Sequence, residues 1–139
     1  MNKNSAIGIF DSGIGGLTVG HQIAKLMPQE RIIYFGDTKH LPYGDKSPEA
    51  IIRFSKRITQ FLLEQNCKMI VIACNTASAL AFEQVKKICA YKAIAINVID
   101  PVVKFTAYSK AKSVGIIGTK NTILSDVYAK KIQSLNTDI

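Results

Sequence analysis

The sequence predicts an α/β protein with an open, mostly parallel sheet and helices on both of its faces. Two observations predict this class. Short apolar runs alternate with amphipathic stretches from residue 7 to residue 135, which is the order of strands and helices in a parallel sheet. Small polar residues follow several of the apolar runs, as they do where strands bring side chains to a ligand site at their carboxyl ends.

The first part of the chain supplies three predicted strands, at 7–10, 32–35 and 69–73. Periodicity alone does not distinguish the continuous apolar run 69–73 from a buried helix, but a separate amphipathic helix follows it and favours a strand. We expect helices at 17–27, 48–65 and 77–89. Ser47 is the expected N-cap of the second helix, with Pro48 at its first position, and Thr76 or Ser78 is the expected N-cap of the third.

The second part begins with a predicted strand at 93–99, closed by Asp100-Pro101. Since proline disfavours a helical residue before it, we expect the chain to turn there, and the pattern allows a join between two lobes. A helix at 102–110, a fifth strand at 114–117 and a helix at 124–135 follow.

Composition places the chain among soluble globular proteins. It has 139 residues, 47% of them hydrophobic, and no apolar run approaches the ~18 residues of a membrane span. Residues 1–6 show no leader pattern, so we expect a cytoplasmic protein. Cys67, Cys74 and Cys89 form no C-x-x-C pair, which favours reduced thiols over a disulfide framework or a zinc site.

The net charge of +8 is spread along the chain, without aromatic residues between the basic ones. Stacking platforms for nucleic acid need such aromatics, so we do not expect specific nucleic-acid binding. The charge indicates attraction of anionic substrates instead.

Cys74 follows the most apolar predicted strand and precedes a predicted helix. A helix amino end offers free N–H groups and a positive dipole end, which bind an anion and favour a thiolate. The alternative is that Cys74 is a small buried apolar residue. A tyrosine-phosphatase type of loop would need arginine six residues later, and position 80 is leucine.

Two further segments are candidates for a site. The turn Asp11-Ser12-Gly13-Ile14-Gly15-Gly16 matches neither a dinucleotide fingerprint nor a P-loop. Its glycines either let the backbone approach a small ligand, with Asp11 and Ser12 in the site, or form a turn that caps the next helix. In the polar loop 36–46, His40 is either a general base or simply solvated.

Taken together, these segments resemble the amino-terminal half of glutamate racemase, in the aspartate/glutamate racemase superfamily. The order and spacing of the motifs carry the resemblance, which extends over essentially all of the chain. The matching segments are 8–18, 34–37, Pro42-Tyr43-Gly44, 72–78 and Gly118-Thr119.

The resemblance implies inversion of the glutamate α-carbon by two cysteines, one on each face of the substrate, without cofactor or metal. Cys74 matches the first cysteine, and Asp11 lies beside it as a second catalytic residue. The second cysteine, in a Gly-Cys-Thr-His type of motif, would come later than residue 139, and Cys67 and Cys89 lack its flanks. The implied substrate-binding residues are Asp11, Ser12, Tyr43, Gly44, Asn75, Thr76, Thr119 and Thr122.

The resemblance also implies glutamate as the substrate and supply of D-glutamate for peptidoglycan, and we expect a homodimer. We expect residues 1–99 to form a first lobe and residues 100–139 to begin a second lobe that is incomplete. The alternatives are a related racemase acting on aspartate, a fragment that only binds, and a non-enzymatic nucleic-acid-associated regulator. We expect the 139-residue chain alone to lack racemase activity.

Overall fold

A four-stranded parallel sheet forms the centre of the protein, whose computed structural model describes residues 4–139. The strand order is β2-β1-β3-β4, and Ile7 of β1 pairs with Ile32 of β2 and Met69 of β3. Parallel pairing brings the carboxyl ends of all four strands to one edge of the sheet, called here the carboxyl edge. The strands are β1 (Ile7–Asp11), β2 (Ile32–Gly36), β3 (Met69–Ile72) and β4 (Ile94–Asn97).

Helices cover both faces of the sheet, which confirms the predicted class. Val19 and Ile23 of α1 pack on one face, and α2 and α3 bury the other. Phe10, Ile70 and Ile72 are fully buried there, and each side chain of this size contributes about 1.5–3 kcal/mol on burial. The helices are α1 (Leu17–Leu26), α2 (Pro48–Glu64), α3 (Asn75–Cys89), α4 (Ile99–Ala107), α5 (Lys120–Leu124) and α6 (Val127–Leu135).

The start of α2 agrees with the sequence prediction. The Ser47 hydroxyl accepts a hydrogen bond from the Ala50 N–H at 3.3 Å, and Pro48 is the first helical residue. Proline is suited to that position because the first N–H of a helix has no intrahelical partner. α2 therefore begins at a defined residue, directly after the loop 36–46.

The start of α3 differs from the prediction, because neither Thr76 nor Ser78 is its N-cap. The helix begins at Asn75 and its N-cap is Cys74. The Ser78 hydroxyl donates to the Ile72 carbonyl at 3.1 Å. The sulfur thus occupies the capping position that hydroxyls and carboxylates usually fill.

The predicted turn at Asp100-Pro101 is also wrong, since both residues lie in the first turn of α4. Proline is tolerated there because its missing N–H has no partner in the first turn. The Asn97 side-chain oxygen accepts hydrogen bonds from the Ile99 and Asp100 N–H groups, both at 2.8 Å. This cap ends β4 at Asn97, two residues before the predicted end.

The predicted fifth strand at 114–117 is not formed: these residues are exposed and have no regular structure. A strand needs a neighbour for its backbone hydrogen bonds, and no strand among residues 4–139 lies beside this segment. The predicted helix at 124–135 is two helices, α5 and α6, separated at Asp126, which has a left-handed φ of 56°.

Two further sequence expectations meet the structure only in part. Among residues 4–139, none of the helices is both long and apolar enough to cross a bilayer. The expectation about residues 1–6 includes residues 1–3, which lie outside the described residues.

Candidate active site

Cys74 lies at the carboxyl edge, between β3 and α3, and is 7% exposed. Its sulfur accepts a hydrogen bond from the Ala77 N–H at 3.5 Å and donates one to the Ser12 hydroxyl, also at 3.5 Å. The first contact places the thiol on the amino end of a 15-residue helix, where the dipole favours negative charge. The geometry therefore supports a thiol that exchanges a proton.

Asp11 ends β1 and is buried, with 6% of its surface exposed. Its Oδ2 accepts hydrogen bonds from the Gly13 and Gly16 N–H groups, both at 3.1 Å. The carboxylate thus holds the glycine turn beside the carboxyl edge. The same carboxylate also interacts with the Tyr34 hydroxyl.

Tyr34 of β2, which the sequence reasoning missed, supports the same turn. Its hydroxyl donates to the Gly13 carbonyl at 3.0 Å. Burial, together with the negative charge of Asp11, raises the pKa of Tyr34 to about 12. The phenol therefore stays neutral at physiological pH and serves as a hydrogen-bond donor.

Three threonine hydroxyls from two separate parts of the chain meet at the amino end of α3. Thr76 Oγ1 lies 2.9 Å from Thr119 Oγ1, which lies 3.0 Å from Thr122 Oγ1. Thr76 is in the first turn of α3, and Thr119 is the N-cap of α5. Each hydroxyl can donate or accept a proton, so this hydroxyl cluster can bind a carboxylate.

Tyr43, which the resemblance implies as a substrate-binding residue, has its side chain buried in the core. Its ring is 2% exposed, and its hydroxyl donates to Asp37 Oδ2 at 2.6 Å. Burial and this hydrogen bond raise the pKa of Tyr43 well above its usual range. The backbone of Tyr43 and Gly44, rather than the phenol, is thus the part left for a ligand.

His40 is held by Asp37 and Phe54 and is not freely solvated, and its Nδ1 hydrogen-bonds to Asp37 and not to Cys74. Its Nδ1 lies 2.8 Å from Asp37 Oδ1, and its ring stacks on Phe54 at 4.0 Å between centroids. Asp37, which follows β2, therefore holds both His40 and Tyr43. Its place after a strand was a signal for this role that the sequence reasoning did not use.

Asn75 is exposed, and its side-chain oxygen accepts a hydrogen bond from the Tyr128 hydroxyl at 2.6 Å. Burial raises the pKa of Tyr128. Tyr128 belongs to α6, 53 residues away in sequence, and no local pattern marks it. The contact ties the amino end of α3 to the last helix.

Two cavities flank this site. One, of about 410 Å³, is lined by Asn75, Thr119, Thr122 and Tyr128, together with residues 114–118. The other, of about 420 Å³, lies beside Asp37 and His40 and is lined in part by aromatic rings of β2 and α2. The first cavity adjoins the hydroxyl cluster, because Thr119 and Thr122 are part of its lining.

The other two cysteines are free thiols buried in the core, far from the carboxyl edge. Cys89 ends α3, about 22 Å from Cys74 at 1.5 Å per helical residue, and burial raises its pKa to about 11. Cys67 precedes β3, about 23 Å from Cys74 at 3.3 Å per extended residue, and burial raises its pKa as well. Neither can share a small substrate with Cys74.

The comparison with known proteins agrees with this architecture. The family model described as Asp/Glu/Hydantoin racemase matches residues 18–138. A glutamate racemase of Geobacter metallireducens is 47% identical over 135 residues, which cover 96% of this chain and 49% of that protein. A glutamate racemase of Bacillus cereus is 43% identical over 141 residues, which cover 100% of this chain and 51% of that protein.

A crystal structure of glutamate racemase from Francisella tularensis in complex with D-glutamate superposes with a TM-score of 0.91 at 44% identity. The match covers 98% of this chain and 50% of that one. The chain thus spans about half the length of the relatives that it matches. With a family model covering most of its length and relatives above 40% identity, this chain belongs to the Asp/Glu/Hydantoin racemase family.

Proposed function

We propose that the protein is a glutamate racemase and that this chain supplies one of its two acid–base thiols, Cys74. The observation that carries the proposal is the place of the Cys74 sulfur, capped by the Ala77 N–H and next to Ser12. The hydroxyl cluster begins two residues later, at Thr76. A proton acceptor and a carboxylate-binding surface therefore lie side by side.

In the proposed reaction the Cys74 thiolate removes the α-proton of glutamate. The electron pair of the C–H bond moves onto the α-carbon and is delocalised into the neighbouring carboxylate, which donors to that group stabilise. A second thiol on the opposite face then gives a proton to the α-carbon, which completes the inversion. Each thiol ends in the protonation state in which the other began, and no cofactor takes part.

The proposed roles of the other residues follow from their contacts. Ser12 contacts the thiol, and the negative charge of Asp11, one residue earlier in the chain, is suited to the substrate ammonium. Asn75, Thr76, Thr119 and Thr122, with the backbone of Tyr43 and Gly44, would bind the carboxylates. Cys67 and Cys89 lie too far from Cys74 to serve as the second thiol. We therefore propose that the second thiol comes from outside the described residues.

Glutamate is the proposed substrate because the Francisella tularensis relative was crystallised with D-glutamate. An α-carboxylate and a side-chain carboxylate would use the several hydroxyl and backbone donors around Thr119. The net charge of +8 favours approach of such a dianion. Aspartate, which has the same groups and one methylene less, is the competing substrate.

The test has two readouts on the 139-residue chain. We expect NMR titration with D-glutamate to shift the backbone signals of Ser12, Asn75, Thr76 and Gly44, and D-aspartate to shift them less. If D-glutamate shifts none of them, the proposed site is wrong.

The second readout is circular dichroism of L- or D-glutamate over hours, with a Cys74→Ala variant as control. We expect no sustained inversion, because one thiol returns a proton only to the face from which it came. Exchange of the α-proton for solvent deuterium without inversion would support a working half-site. Sustained inversion that Cys74→Ala abolishes would show that a second donor exists within these residues or across a dimer.

Three wider expectations are part of the same proposal. We propose a cytoplasmic enzyme that supplies D-glutamate for peptidoglycan, which the three free thiols support. A homodimer is proposed as well. The exposed side chains of Val102 and Phe105 on α4 and of Tyr108 directly after it offer surface for association, and light scattering tests it. The division into lobes 1–99 and 100–139 stays a prediction.

A further inference from the structure

We propose that Asn121 is a positioning residue of this site: its side-chain amide holds the turn Tyr43–Lys46 against Thr119, so that the Gly44 backbone and the hydroxyl cluster form one ligand-binding surface. The inference rests on the proposed function for the identity of the ligand. The contact itself stands on the geometry alone.

The Asn121 Nδ2 group lies within hydrogen-bond distance of three carbonyl oxygens of one turn. It donates to the carbonyl oxygens of Lys46 at 2.8 Å, Gly44 at 3.1 Å and Tyr43 at 3.3 Å. The sequence separation is 75 to 78 residues. A single side chain of α5 thus joins the early loop to the last third of the chain.

The direction of this contact is determined by chemistry. An asparagine amide offers two N–H donors on one side and an acceptor oxygen on the other. Three carbonyl oxygens surround the Asn121 amide, so the NH₂ group must face them, since an oxygen there would be repelled. The two protons are shared among three acceptors, which favours one turn geometry over others.

The turn that Asn121 holds lies directly on the hydroxyl cluster. A Cβ atom placed on Gly44 would lie 3.0 Å from Thr119 Cβ and 3.1 Å from Thr119 Cγ2, closer than ordinary van der Waals contact. A side chain at position 44 would therefore have to displace Thr119 by a few tenths of an ångström, so glycine favours this approach. Thr119 in turn lies 2.9 Å from Thr76 in its hydroxyl contact, so any shift of the turn changes the surface that a ligand meets.

A second contact holds the other end of the loop and is independent of Asn121. The Tyr43 hydroxyl is bound to Asp37, at the carboxyl end of β2. Loss of the Asn121 amide should therefore free the Gly44–Lys46 part of the turn without unfolding the loop or α2.

The experiment compares four variants of the chain, of which Asn121→Gln keeps an amide donor at this position. Asn121→Ala removes the amide, and Asn121→Asp keeps its shape but replaces the donors with acceptors. Asn136→Ala is the matched control, because the Asn136 amide also donates to a backbone carbonyl, that of Ala107 at 2.9 Å, remote from the hydroxyl cluster. Two quantities are measured for each: hydrogen exchange of the Lys46 N–H, which bonds the Tyr43 carbonyl, and the Kd for D-glutamate.

We expect Asn121→Ala and Asn121→Asp to exchange the Lys46 N–H at least about tenfold faster and to bind D-glutamate about tenfold more weakly. Asn136→Ala should change neither quantity, although its melting temperature should fall by about as much as that of Asn121→Ala. Restored affinity in Asn121→Gln, which keeps an amide donor, would distinguish positioning from a general loss of stability.

Two failures are distinguishable. If the unaltered chain binds D-glutamate and Asn121→Ala or Asn121→Asp binds it equally well, the positioning role is overturned and the proposed function stands. If the unaltered chain binds no D-glutamate, the proposed function fails and the ligand role of Asn121 fails with it; unchanged Lys46 exchange would then remove the structural contact as well.

Discussion

Replacement of Gly16 by alanine should disturb the candidate site through one added methyl group. Gly16 is the buried N-cap of α1, and its N–H donates to Asp11 Oδ2 at 3.1 Å. Its φ of −66° suits any residue, so the backbone conformation itself does not require glycine. Glycine is required instead by the limited space around its Cα atom.

A Cβ atom at Gly16 would lie 2.7 Å from the Cβ atoms of both Ala73 and Asp11. Carbon atoms pack best at about 3.5–4.0 Å, so each contact overlaps by about 1 Å. Both neighbouring atoms are Cβ atoms, which are attached directly to the backbone and cannot rotate away. Overpacking of this kind costs about 1–3 kcal/mol, and the lower entropy of the unfolded alanine chain offsets about 0.4–1 kcal/mol.

We therefore expect Gly16→Ala to lower the free energy of unfolding by about 1–2 kcal/mol and to weaken D-glutamate binding, because the carboxylate of Asp11 must move. Urea denaturation gives the first quantity and calorimetric titration the second. Gly20→Ala is the control, four residues along the same helix: its Cβ would meet Ile9 at 3.7 Å and Tyr34 at 4.0 Å. That variant should gain about 0.5–1 kcal/mol, since glycine weakens a helix interior.

Equal stability of Gly16→Ala and the unaltered chain, with unchanged ligand affinity, would refute this reasoning. Destabilisation of Gly20→Ala to the same extent would also refute it, because the effect would then belong to the helix and not to the contact with Ala73 and Asp11.

Two further predictions concern titration. With limiting alkylating reagent at pH 8, peptide mass analysis should show that Cys74 is labelled first. Cys89 should react slowly, because at a pKa of about 11 only about one Cys89 thiol in a thousand is ionised at this pH. Faster labelling of Cys67 or Cys89 would contradict the assigned site. Stability should fall as pH rises above about 10, the pKa of an unfolded tyrosine, because the raised pKa values of Tyr34 and Tyr43 keep both phenols protonated only in the folded state. Urea midpoints between pH 9 and 12 measure this, and Tyr34→Phe should reduce the slope; a midpoint independent of pH would contradict it.

Local patterns predicted most of the first 97 residues. The continuous apolar run before Cys74 is a buried strand, and Ser47-Pro48 begins a helix, because both depend on neighbouring residues and on burial that the apolar pattern itself indicates. The resemblance to a racemase family is confirmed by the family match over residues 18–138. The ligand-binding and catalytic roles of the named residues stay predictions.

Local patterns failed where the outcome depends on a distant partner. Residues 114–117 are apolar enough for a strand, but a strand forms only beside another, and residues 4–139 provide none there. Asp100-Pro101 looks like a turn from its own sequence, yet the Asn97 amide oxygen satisfies the first N–H groups of α4 and lets a helix start.

The sequence pattern by itself indicated that Asp11 and Cys74 would lie at one edge of the sheet, because each follows an apolar strand and parallel strands end at one edge. That Asp11 lies beside Cys74 was implied only by the resemblance, and the pairing of β1 with β3 is a result of the tertiary structure. Only the tertiary structure decided which surface faces them. Thr76 meets Thr119 across 43 residues, and Asn121 reaches the Tyr43–Lys46 turn across more than 70. Such contacts carry no periodic signal, since they depend on how α3 and α5 pack and not on the residues beside them in the chain.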